Sequence, residues 1–507
     1  MTRWAPRVAA AAALVMALSA CGTTSQSSVD PVVTTTGPMP AAASGLASYY
    51  RQKLTWRGCD GDLCAWLRVP LDYAHPRGAQ IRLAVLKVPA TDPARRVGAL
   101  VVNPGGPGGS GVNFASAGAQ GYFGKALTKY YDIVGFDPRG VGASAPINCG
   151  NTAQTDAMIS AVPAPSTTAE WEAGNAIARA YMDRCLALSG AIAQHVSTVE
   201  AARDMDILRA ALSQPKLDYF GASYGTFLGA TYAGLFPKNV GRMVLDGAID
   251  PALSTTQMDL QQAHSMQVAL ESYVSDCVAQ GSCPLGANTD AAVARVGELL
   301  QQIQAHPLPT ATSRELNGGF AMQGVWAPLY VRDNWPDLTA AFSEILKQHK
   351  GTKLLALADG YVDRGATAYT DNAVAAQTAV NCLDHDDYLP WQEAQKLTPE
   401  FMKASPTFGK AFATMVASCS FYPVRTGNRS AAIRATGAPP IVVIGTTRDP
   451  VTPLAWARAL AQQLASGVLV TRDGDGHTAY SEGNSCINGA VERYLVGGVV
   501  PRQGLAC

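Results

Sequence analysis

The stretch LDYFGASYGTFLGATYAG, residues 217–234, constrains the fold of this 507-residue chain more than any other segment. It begins as a short apolar run, as a buried strand does, and continues with the spacing of a helix. Ser223 lies at the junction, with Gly221 and Gly225 two residues to either side. In this G-x-S-x-G pattern a sharp turn exposes the hydroxyl group, and the glycines avoid clashes with the adjoining strand and helix. The stretch therefore predicts a nucleophilic serine at a helix N-terminus, where amide dipoles favour developing negative charge.

Further apolar runs alternate with helical segments along the chain. This alternation favours right-handed βαβ units and a mostly parallel sheet with helices on both faces. The predicted strands cover residues 81–88, 99–102, 131–137, 217–221, 242–247, 439–447 and 467–474, and a helical segment covers about 198–212.

Residues 251–425 interrupt this rhythm because they are rich in Ala, Gln and Leu with helical spacing. The pattern predicts a mainly helical lid inserted before the last strands of the sheet. The hydrolase core would then comprise residues 47–250 and 426–507. A separate second domain is the alternative, but it would leave the sheet without its last strands.

A serine nucleophile needs a base, and the base needs an acid that orients it. In folds that carry the G-x-S-x-G turn, the chain order is Ser, then Asp or Glu, then His. His477, in the glycine-rich loop DGDGHTAY, is the one of seven histidines that directly follows the last predicted strand. Asp449 follows the preceding strong strand and is the predicted acid. Asp246, at the end of an earlier strand, is the alternative acid or a structural residue.

The loop NPGGPGGSG, residues 103–111, directly follows the predicted strand 99–102. It resembles the glycine-rich loop that supplies one N–H group to an oxyanion hole. We predict Gly106 as this donor, with Gly105 as the next choice, and the backbone of Tyr224 as the second donor. A phosphate-binding loop is the alternative, but no Gly-Lys-Ser/Thr sequence follows.

The first residues of the chain have the pattern of an export signal. A basic start precedes an apolar run at 8–18, which is shorter than the roughly 20 residues that cross a membrane. The run closes with Leu-Ser-Ala-Cys, which resembles the bacterial lipobox. The pattern predicts a signal peptide at 1–20 and a Ser/Thr/Pro/Ala-rich tether at 21–46, with a lipid on Cys21 as its only membrane anchor. We expect the protein outside the cytoplasm, on the cell membrane or envelope or released from it; an ordinary secretory signal is the alternative to lipidation.

Ten cysteines remain when Cys21 is set aside, an even number that suits disulfides in an exported protein. No CxxC pair or HExxH helix indicates a metal site, so none is expected. Sequence cannot fix the pairing, but chain order suggests local closures: Cys59–Cys64, Cys149–Cys185, Cys277–Cys283, Cys382–Cys419 and Cys486–Cys507.

Charge gives no support for nucleic-acid binding. The 39 basic and 39 acidic residues cancel, and no basic run stands out.

Seven motifs in the expected order identify a family resemblance: NPGGPGGSG, FDPRGVGAS, ARDMDILRAAL, YFGASYGTFLGATYAGLFP, RMVLDGAIDP, GTTRDPVTP and GHTAY. Together they resemble the exported tripeptidyl aminopeptidase branch of the α/β-hydrolase serine peptidases, relatives of proline iminopeptidases. The likeness extends to mycobacterial lipid-anchored members labelled carboxylesterase A, and it covers roughly residues 50–507.

The resemblance implies the α/β-hydrolase fold, catalytic positions at Ser223, Asp449 and His477, and no metal or organic cofactor. It also implies an exopeptidase that removes short peptides, of tripeptide length, from free N-termini, with esterase activity on small esters. One departure concerns the oxyanion loop, where Asn103 and Pro104 stand in place of the histidine of relatives with HGGPG.

An aminopeptidase has to bind an ammonium group, which calls for shielded carboxylates in or near the lid. The stretch AVNCLDHDDY offers Asp384 and Asp386, with Asp387 beside them. A solvated acidic loop is an equally good interpretation of this stretch. Asp371 and Glu271 are further candidates that the sequence does not rank.

Two other functions remain open at this point. A carboxylesterase or lipase would use the same triad but would line its lid with apolar side chains. A catalytically inactive surface lipoprotein would have no reason to keep Ser223, Asp449 and His477 in the correct order.

Overall fold

The computed structural model describes residues 45–161, 163–427 and 430–507. The predicted signal peptide, Cys21 and nearly all of the tether lie outside these residues. Among the helices that are described, none is both long and apolar enough to cross a membrane.

A ten-stranded sheet forms the centre of the molecule, in the order β1-β2-β3-β5-β4-β6-β7-β8-β9-β10. The first three strands are antiparallel to their neighbours, and all pairs from β5 to β10 are parallel. The strands are β1 (Arg57–Cys59), β2 (Asp62–Pro70), β3 (Gln80–Val88), β4 (Gly98–Asn103), β5 (Tyr131–Phe136), β6 (Leu217–Ala222), β7 (Val240–Asp246), β8 (Ile441–Arg448), β9 (Gly467–Asp475) and β10 (Leu505–Ala506).

The helices of the described residues fall into those that flank the sheet and those that form a separate layer. They are α1 (Ala47–Tyr50), α2 (Gly111–Gly121), α3 (Lys125–Tyr130), α4 (Thr152–Ser160), α5 (Thr168–Ser189), α6 (Thr198–Ala211), α7 (Tyr224–Leu235), α8 (Thr255–Ala279), α9 (Thr289–Ala305), α10 (Gly318–Leu329), α11 (Trp335–Gln348), α12 (Thr352–Tyr361), α13 (Ala373–Asp384), α14 (Trp391–Lys396), α15 (Thr398–Ala404), α16 (Gly409–Met415), α17 (Leu454–Gln463) and α18 (Ser485–Gly497).

Both faces of the central strands are buried, which explains why these strands read as continuous apolar runs. In β4, Val101 packs into the cluster that contains α6, α7 and α17. Its neighbours Leu100 and Val102 pack into the opposite cluster, which contains α2, α3 and α18. Successive side chains of a strand point to opposite faces, so one apolar strand serves two helix layers. The predicted strands are present; the sequence prediction omitted β1, β2 and β10.

Helices α8–α16 lie between β7 and β8 along the chain. Most of them share a separate core cluster in which Leu270, Val325 and Phe401 are buried. Trp171 of α5 joins this cluster and stacks on Trp391, with ring centroids 6.3 Å apart. The helical layer therefore includes part of α5, which precedes Ser223 in the chain. The predicted lid range, 251–425, did not contain this helix.

The five disulfides join the same cysteines that chain order suggests: Cys59–Cys64, Cys149–Cys185, Cys277–Cys283, Cys382–Cys419 and Cys486–Cys507. Each bond closes a short segment of the chain and stabilises the fold by restricting the unfolded state.

Candidate active site

Ser223 lies in the turn between β6 and α7, with φ +55° and ψ −127°. A non-glycine residue in this region is strained, and such strain is typical of functional turns. Its N–H group donates to the carbonyl oxygen of Asp246 at 2.9 Å. A Cβ atom on Gly221 would lie 2.3 Å from the Gly225 carbonyl oxygen, and one on Gly225 would lie 2.8 Å from that of Asn103. The two glycines are therefore required because the strand, the turn and the oxyanion loop meet here.

His477 follows β9, and its ring is oriented by Asp449. Nδ1 of His477 lies 2.9 Å from each carboxylate oxygen of Asp449, which is 1% exposed. A Cβ atom on Gly247 would lie 3.3 Å from Cε1 of His477. Gly247 directly follows Asp246, whose carbonyl oxygen accepts the Ser223 N–H group, so the His477 ring lies near the turn at Ser223. Nε2 of His477 is buried and has no hydrogen-bond partner among the described residues. With its Nδ1 proton donated to Asp449, the ring keeps Nε2 as an acceptor beside the nucleophile turn.

The charges around His477 favour its protonated form. Burial alone would lower the pKa of His477, but the Asp449 charge and hydrogen bond outweigh it, and the Asp246 and Glu482 charges add to them. The pKa of His477 is therefore raised above its ordinary value. An imidazolium stabilised in this way is what a general base forms when it accepts a proton from serine.

Asp449 is held by the loop that follows β8. Its Oδ1 accepts N–H groups of Val451 and Thr452 at 2.9 and 2.8 Å. Its Oδ2 accepts the Thr452 hydroxyl at 3.0 Å and the Thr478 N–H group at 3.1 Å. The same hydroxyl lies 3.3 Å from Nδ1 of His477. Thr452 thus contacts both the acid and the base, a role that the sequence analysis missed; its place three residues after the predicted acid was the available signal.

The carboxylate of Asp246, the alternative acid, binds backbone N–H groups of the loop that carries His477. Its carboxylate accepts the N–H groups of Ala479 at 3.0 and 3.1 Å and of Tyr480 at 2.8 Å. Burial raises the pKa of Asp246 to about 6, although these N–H groups act in the opposite direction. Of the two acids, Asp246 therefore fixes the loop that carries His477, whereas Asp449 contacts the ring nitrogen of His477.

The glycine-rich loop packs directly on the nucleophile turn. A Cβ atom on Gly105 would lie 2.6 Å from the Ala222 carbonyl oxygen and 2.8 Å from the Tyr224 nitrogen. The Gly105 N–H group donates to Oδ1 of Asn103 at 2.9 Å, so it is already used. Gly106 has φ +108°, and its N–H group donates to no acceptor among the described residues. This arrangement favours Gly106 over Gly105 as the loop donor. The role of the Gly106 and Tyr224 N–H groups as oxyanion donors stays a prediction.

Comparisons with known proteins place this chain in a family. The family model described as TAP-like protein matches residues 405–507. The serine protease Hip1 of Mycobacterium tuberculosis H37Rv is 37% identical over 463 residues, covering 88% of this chain and 87% of Hip1. The tripeptidyl aminopeptidase of Streptomyces coelicolor is 33% identical over 483 residues, covering 92% of this chain and 88% of that protein. The chain belongs to the TAP-like family of α/β-hydrolases. Carboxylesterase B of M. tuberculosis H37Rv is also similar, with 36% identity over 457 residues that cover 88% of this chain and 86% of the relative.

Membership in the TAP-like family confirms the α/β-hydrolase fold, the assignment of the protein as a serine hydrolase and the TAP-like part of the family resemblance; the lipid-anchored branch stays a prediction. These relatives include proteins named as peptidases and one named as an esterase. The family therefore fixes the reaction class but leaves the substrate to the site itself.

The helical segment between β7 and β8 contacts His477 through Tyr330, at the end of α10. The Tyr330 carbonyl oxygen accepts the backbone N–H group of His477 at 2.7 Å. The rings of the two residues meet edge to face, with centroids 5.4 Å apart. The Tyr330 hydroxyl lies 2.8 Å from that of Tyr361, whose side chain is partly exposed. The Tyr330 ring therefore covers one side of the His477 ring.

Asp384, a predicted amine-binding residue, is buried and fully engaged within the protein. It accepts the Thr198 N–H group at 2.7 Å and the Thr198 hydroxyl at 2.5 Å. Burial raises the pKa of Asp384 to about 7, although the bonds from Thr198 act in the opposite direction. Asp384 therefore offers no free carboxylate to a substrate, in contrast to the prediction.

The other predicted amine-binding residues also have partners in the protein. Asp386 lies 3.5 Å from the Arg425 guanidinium at the surface, so the structure does not support its predicted role. Asp387 accepts the N–H and hydroxyl groups of Thr255 at the start of α8. Asp371 accepts the Ala373 N–H group. Glu271 accepts a hydrogen bond from the Gln267 side-chain amide, and it lines a cleft of about 980 Å³.

One trio of side chains has the spacing of metal ligands. Asp72, His195 and Glu200 each bring one ligand atom within 4.8 Å of the others. Nδ1 of His195 and Nη1 of Arg139 lie 3.0 and 3.4 Å from the same Glu200 oxygen. Because the arginine already compensates the carboxylate charge, we interpret this cluster as an ion-pair network.

Proposed function

We propose that the protein is an exported serine exopeptidase that releases short peptides, of tripeptide length, from free N-termini, with esterase side activity. The triad geometry and the relatives named serine protease Hip1 and tripeptidyl aminopeptidase support the peptidase chemistry. The observation that carries the preference for a free amine is a buried carboxylate without a cation, Asp259.

The proposed reaction follows the parts of the site. Nε2 of His477 takes the proton of the Ser223 hydroxyl, whose oxygen attacks the peptide carbonyl. The N–H groups of Gly106 and Tyr224 hold the oxyanion, and Asp449 stabilises the imidazolium. The imidazolium gives its proton to the leaving amine, and water then repeats the sequence on the acyl-enzyme.

Asp259 lies on the part of α8 that covers the acid loop of the triad. One turn further along, Nε2 of Gln262 donates to the carbonyl oxygen of Val451 at 2.9 Å. Residues three apart on a helix share a face. Asp259 is therefore one turn of α8 away from the contact with the loop that follows β8 and carries Asp449, and its carboxyl group lies near Asp387 and Tyr388.

The carboxylate of Asp259 has no compensating charge in the described part of the chain. Its Oδ2 is inaccessible to solvent and has no hydrogen-bond partner there. Burial, reinforced by the nearby Asp387 charge, raises the pKa of Asp259 well above its ordinary value. Burying an unpaired carboxylate costs several kcal/mol, on the order of the penalty for one buried ion. A substrate ammonium group would supply the missing charge, which is why this residue is the proposed amine site.

The test compares a chromogenic tripeptide with a free N-terminus and its N-acetylated form. Asp259→Asn should raise KM for the free amine about 10- to 150-fold, because a charged hydrogen bond contributes about 1.5–3 kcal/mol. Turnover of the acetylated peptide should stay unchanged. Asp290→Asn, at an exposed carboxylate on α9, is the matched control, and Ser223→Ala gives the background.

The same measurement separates the two reaction types. Wild-type enzyme that hydrolyses both peptides equally, or hydrolyses only simple esters, would instead be a carboxylesterase, as the relative named Carboxylesterase B suggests. An amine preference that survives Asp259→Asn would assign amine binding to another residue.

Export and lipid anchoring complete the proposal. Five disulfides support an oxidising compartment, since such bonds are rare in the cytosol. We expect mature protein to begin at a diacylated Cys21 and to partition into detergent. Cys21→Ala should abolish the lipid mass and the detergent partitioning; an unmodified Cys21 in the wild-type protein would contradict the anchor.

A further inference from the structure

Helix α13 contacts the glycine-rich loop at its first turn. A Cβ atom on Gly108 would lie 2.6 Å from the carbonyl oxygen of Ala373, so the two backbones are in direct contact. One turn later, Nε2 of Gln377 donates to the Gly106 carbonyl oxygen at 3.3 Å. Just before the helix, Asn372 accepts the Gly142 N–H group at 2.9 Å. The start of α13 is thus fixed to the loop that contains the predicted first oxyanion donor.

The other end of α13 reaches the residue after the nucleophile through one threonine. Asp384, the last residue of the helix, accepts both the N–H and the hydroxyl group of Thr198. The Thr198 oxygen also makes a short hydrogen bond with the Tyr224 hydroxyl. A hydroxyl group has one proton to donate. An ionised Asp384 can only accept the Thr198 proton; in that state Tyr224 donates to Thr198, and the chain of hydrogen bonds runs in one direction.

The burial of this chain of hydrogen bonds makes it costly to break. Thr198 is 1%, Tyr224 6% and Asp384 8% exposed. Buried polar groups that lose their partners cost about 1–3 kcal/mol each. The helix itself is fixed, because Ala379 and Leu383 pack into the core cluster that also contains Tyr224, and Cys382 is bonded to Cys419.

We infer that α13 is a positioning element of the oxyanion hole, in which Asp384 and Thr198 orient Tyr224 while Ala373 and Gln377 fix the opposing loop. The inference rests on the proposed roles of Gly106 and Tyr224 as oxyanion donors. Asp384 and Thr198 are positioning residues, since neither is placed against the reacting atoms. The two donor segments already touch through Gly105, and one helix that contacts both of them further restricts the distance between them, which has to match an oxyanion to within about 0.5 Å.

This role differs measurably from substrate binding. Loss of a complete oxyanion donor lowers kcat about 10²–10³-fold. Displacement of a donor should lower kcat by part of that factor, about 10- to 100-fold, and leave KM nearly unchanged. The loss should be equal for free-amine peptides, acetylated peptides and simple esters, because all three pass through an oxyanion.

The test uses the full-length enzyme with p-nitrophenyl acetate as the substrate. Thr198→Val keeps the shape of the side chain but removes the hydroxyl, and should lower kcat about 10- to 100-fold. Thr198→Ser keeps the hydroxyl and should retain activity. Thr231→Val, at a buried threonine of α7, is the matched control and should behave as wild type. Binding of a boronic acid, which forms a tetrahedral adduct with the serine, should weaken by the same factor as kcat.

The outcomes separate the inference from the proposed function. Wild-type kcat in Thr198→Val, equal losses in Thr198→Val and Thr198→Ser, or a loss confined to KM would overturn the role of α13. Since the ester has no amine, a failure of the aminopeptidase assignment would leave this result intact. If Thr198→Val does not fold, Asp384→Asn tests the same chain of hydrogen bonds from its other end and should give the same loss of kcat and of boronate affinity.

Discussion

Asparagine substitutions at Asp449 and Asp246 test which carboxylate serves the catalytic base. Both acids are buried, and they lie at the ends of the neighbouring strands β8 and β7. Nδ1 of His477 lies 2.9 Å from both oxygens of Asp449, whereas Asp246 accepts only backbone N–H groups from the histidine loop. The two substitutions remove the same charge and nearly the same shape, but only Asp449→Asn removes the acceptor of the ring proton.

The expected magnitudes follow from these contacts. With an amide group opposite Nδ1, the imidazole proton moves to Nε2, where it blocks transfer from Ser223. We expect kcat of Asp449→Asn to fall about 10⁴-fold, which corresponds to about 5.5 kcal/mol. Asp246→Asn should lose one or two charged hydrogen bonds, each of which contributes about 1.5–3 kcal/mol to stability. Part of this lost stability should be regained because the substitution removes a buried charge. That loss acts on the free energy of unfolding, and kcat should fall less than about 10-fold.

The assay is hydrolysis of p-nitrophenyl acetate and of a free-amine tripeptide, with chemical denaturation of each variant. Ser223→Ala sets the background rate for both substrates. Equal losses of kcat in the two asparagine variants, or a larger loss in Asp246→Asn, would refute the assignment of Asp449 as the acid of the triad.

Three further predictions concern the oxyanion loop, the base and the lid. Gly105→Ala should destabilise the fold by at least about 1–3 kcal/mol in chemical denaturation, because its Cβ atom would lie 2.6 Å from the Ala222 carbonyl oxygen at φ +95°; a variant as stable as wild type would contradict this. The kcat/KM of the wild type should rise with pH through a midpoint above 6.5, because neutral His477 is the active form and its pKa is raised; a midpoint at or below 6.5 would argue against the Asp449 effect. The pKa of Asp384 is raised by burial from 3.8 to about 7, so the folded state holds this proton more tightly than the unfolded state. Its contribution to stability should therefore be complete below about pH 4 and be lost as the pH rises through 7, and Asp384→Asn should reduce this slope in urea titrations; an unchanged slope would contradict it.

Much of the candidate site could be predicted because its signals are local. The turn at Ser223 needs small residues two positions away on each side, and those glycines are adjacent in sequence. Likewise, Asp449 and His477 each follow an apolar strand, and parallel strands bring their carboxyl ends to one edge of the sheet. Chain order and strand pattern were therefore enough to bring the acid and the base together.

Amine recognition could not be predicted in the same way. Asp384 and Asp386 stand in an acidic stretch that suggests a binding site, yet the first binds Thr198 and the second lies near Arg425. Asp259 carries no local signal, because it is one acid in a long polar helix. Its distinguishing property is a buried oxygen without a partner, and that property depends on which helices pack around it.

The sequence by itself determined seven of the ten strands of the described sheet, the turn at Ser223, the glycine-rich loop and the candidate triad, because each depends on backbone conformation and on residues near one another in the chain. The tertiary structure alone decided which carboxylates are paired and which are not, and it joined α5 to the lid. Thr198 and Asp384 are 186 residues apart in sequence and form a buried hydrogen bond. Burial and charge compensation arise from such long-range contacts, so they are properties of the packed chain and not of any one segment of it.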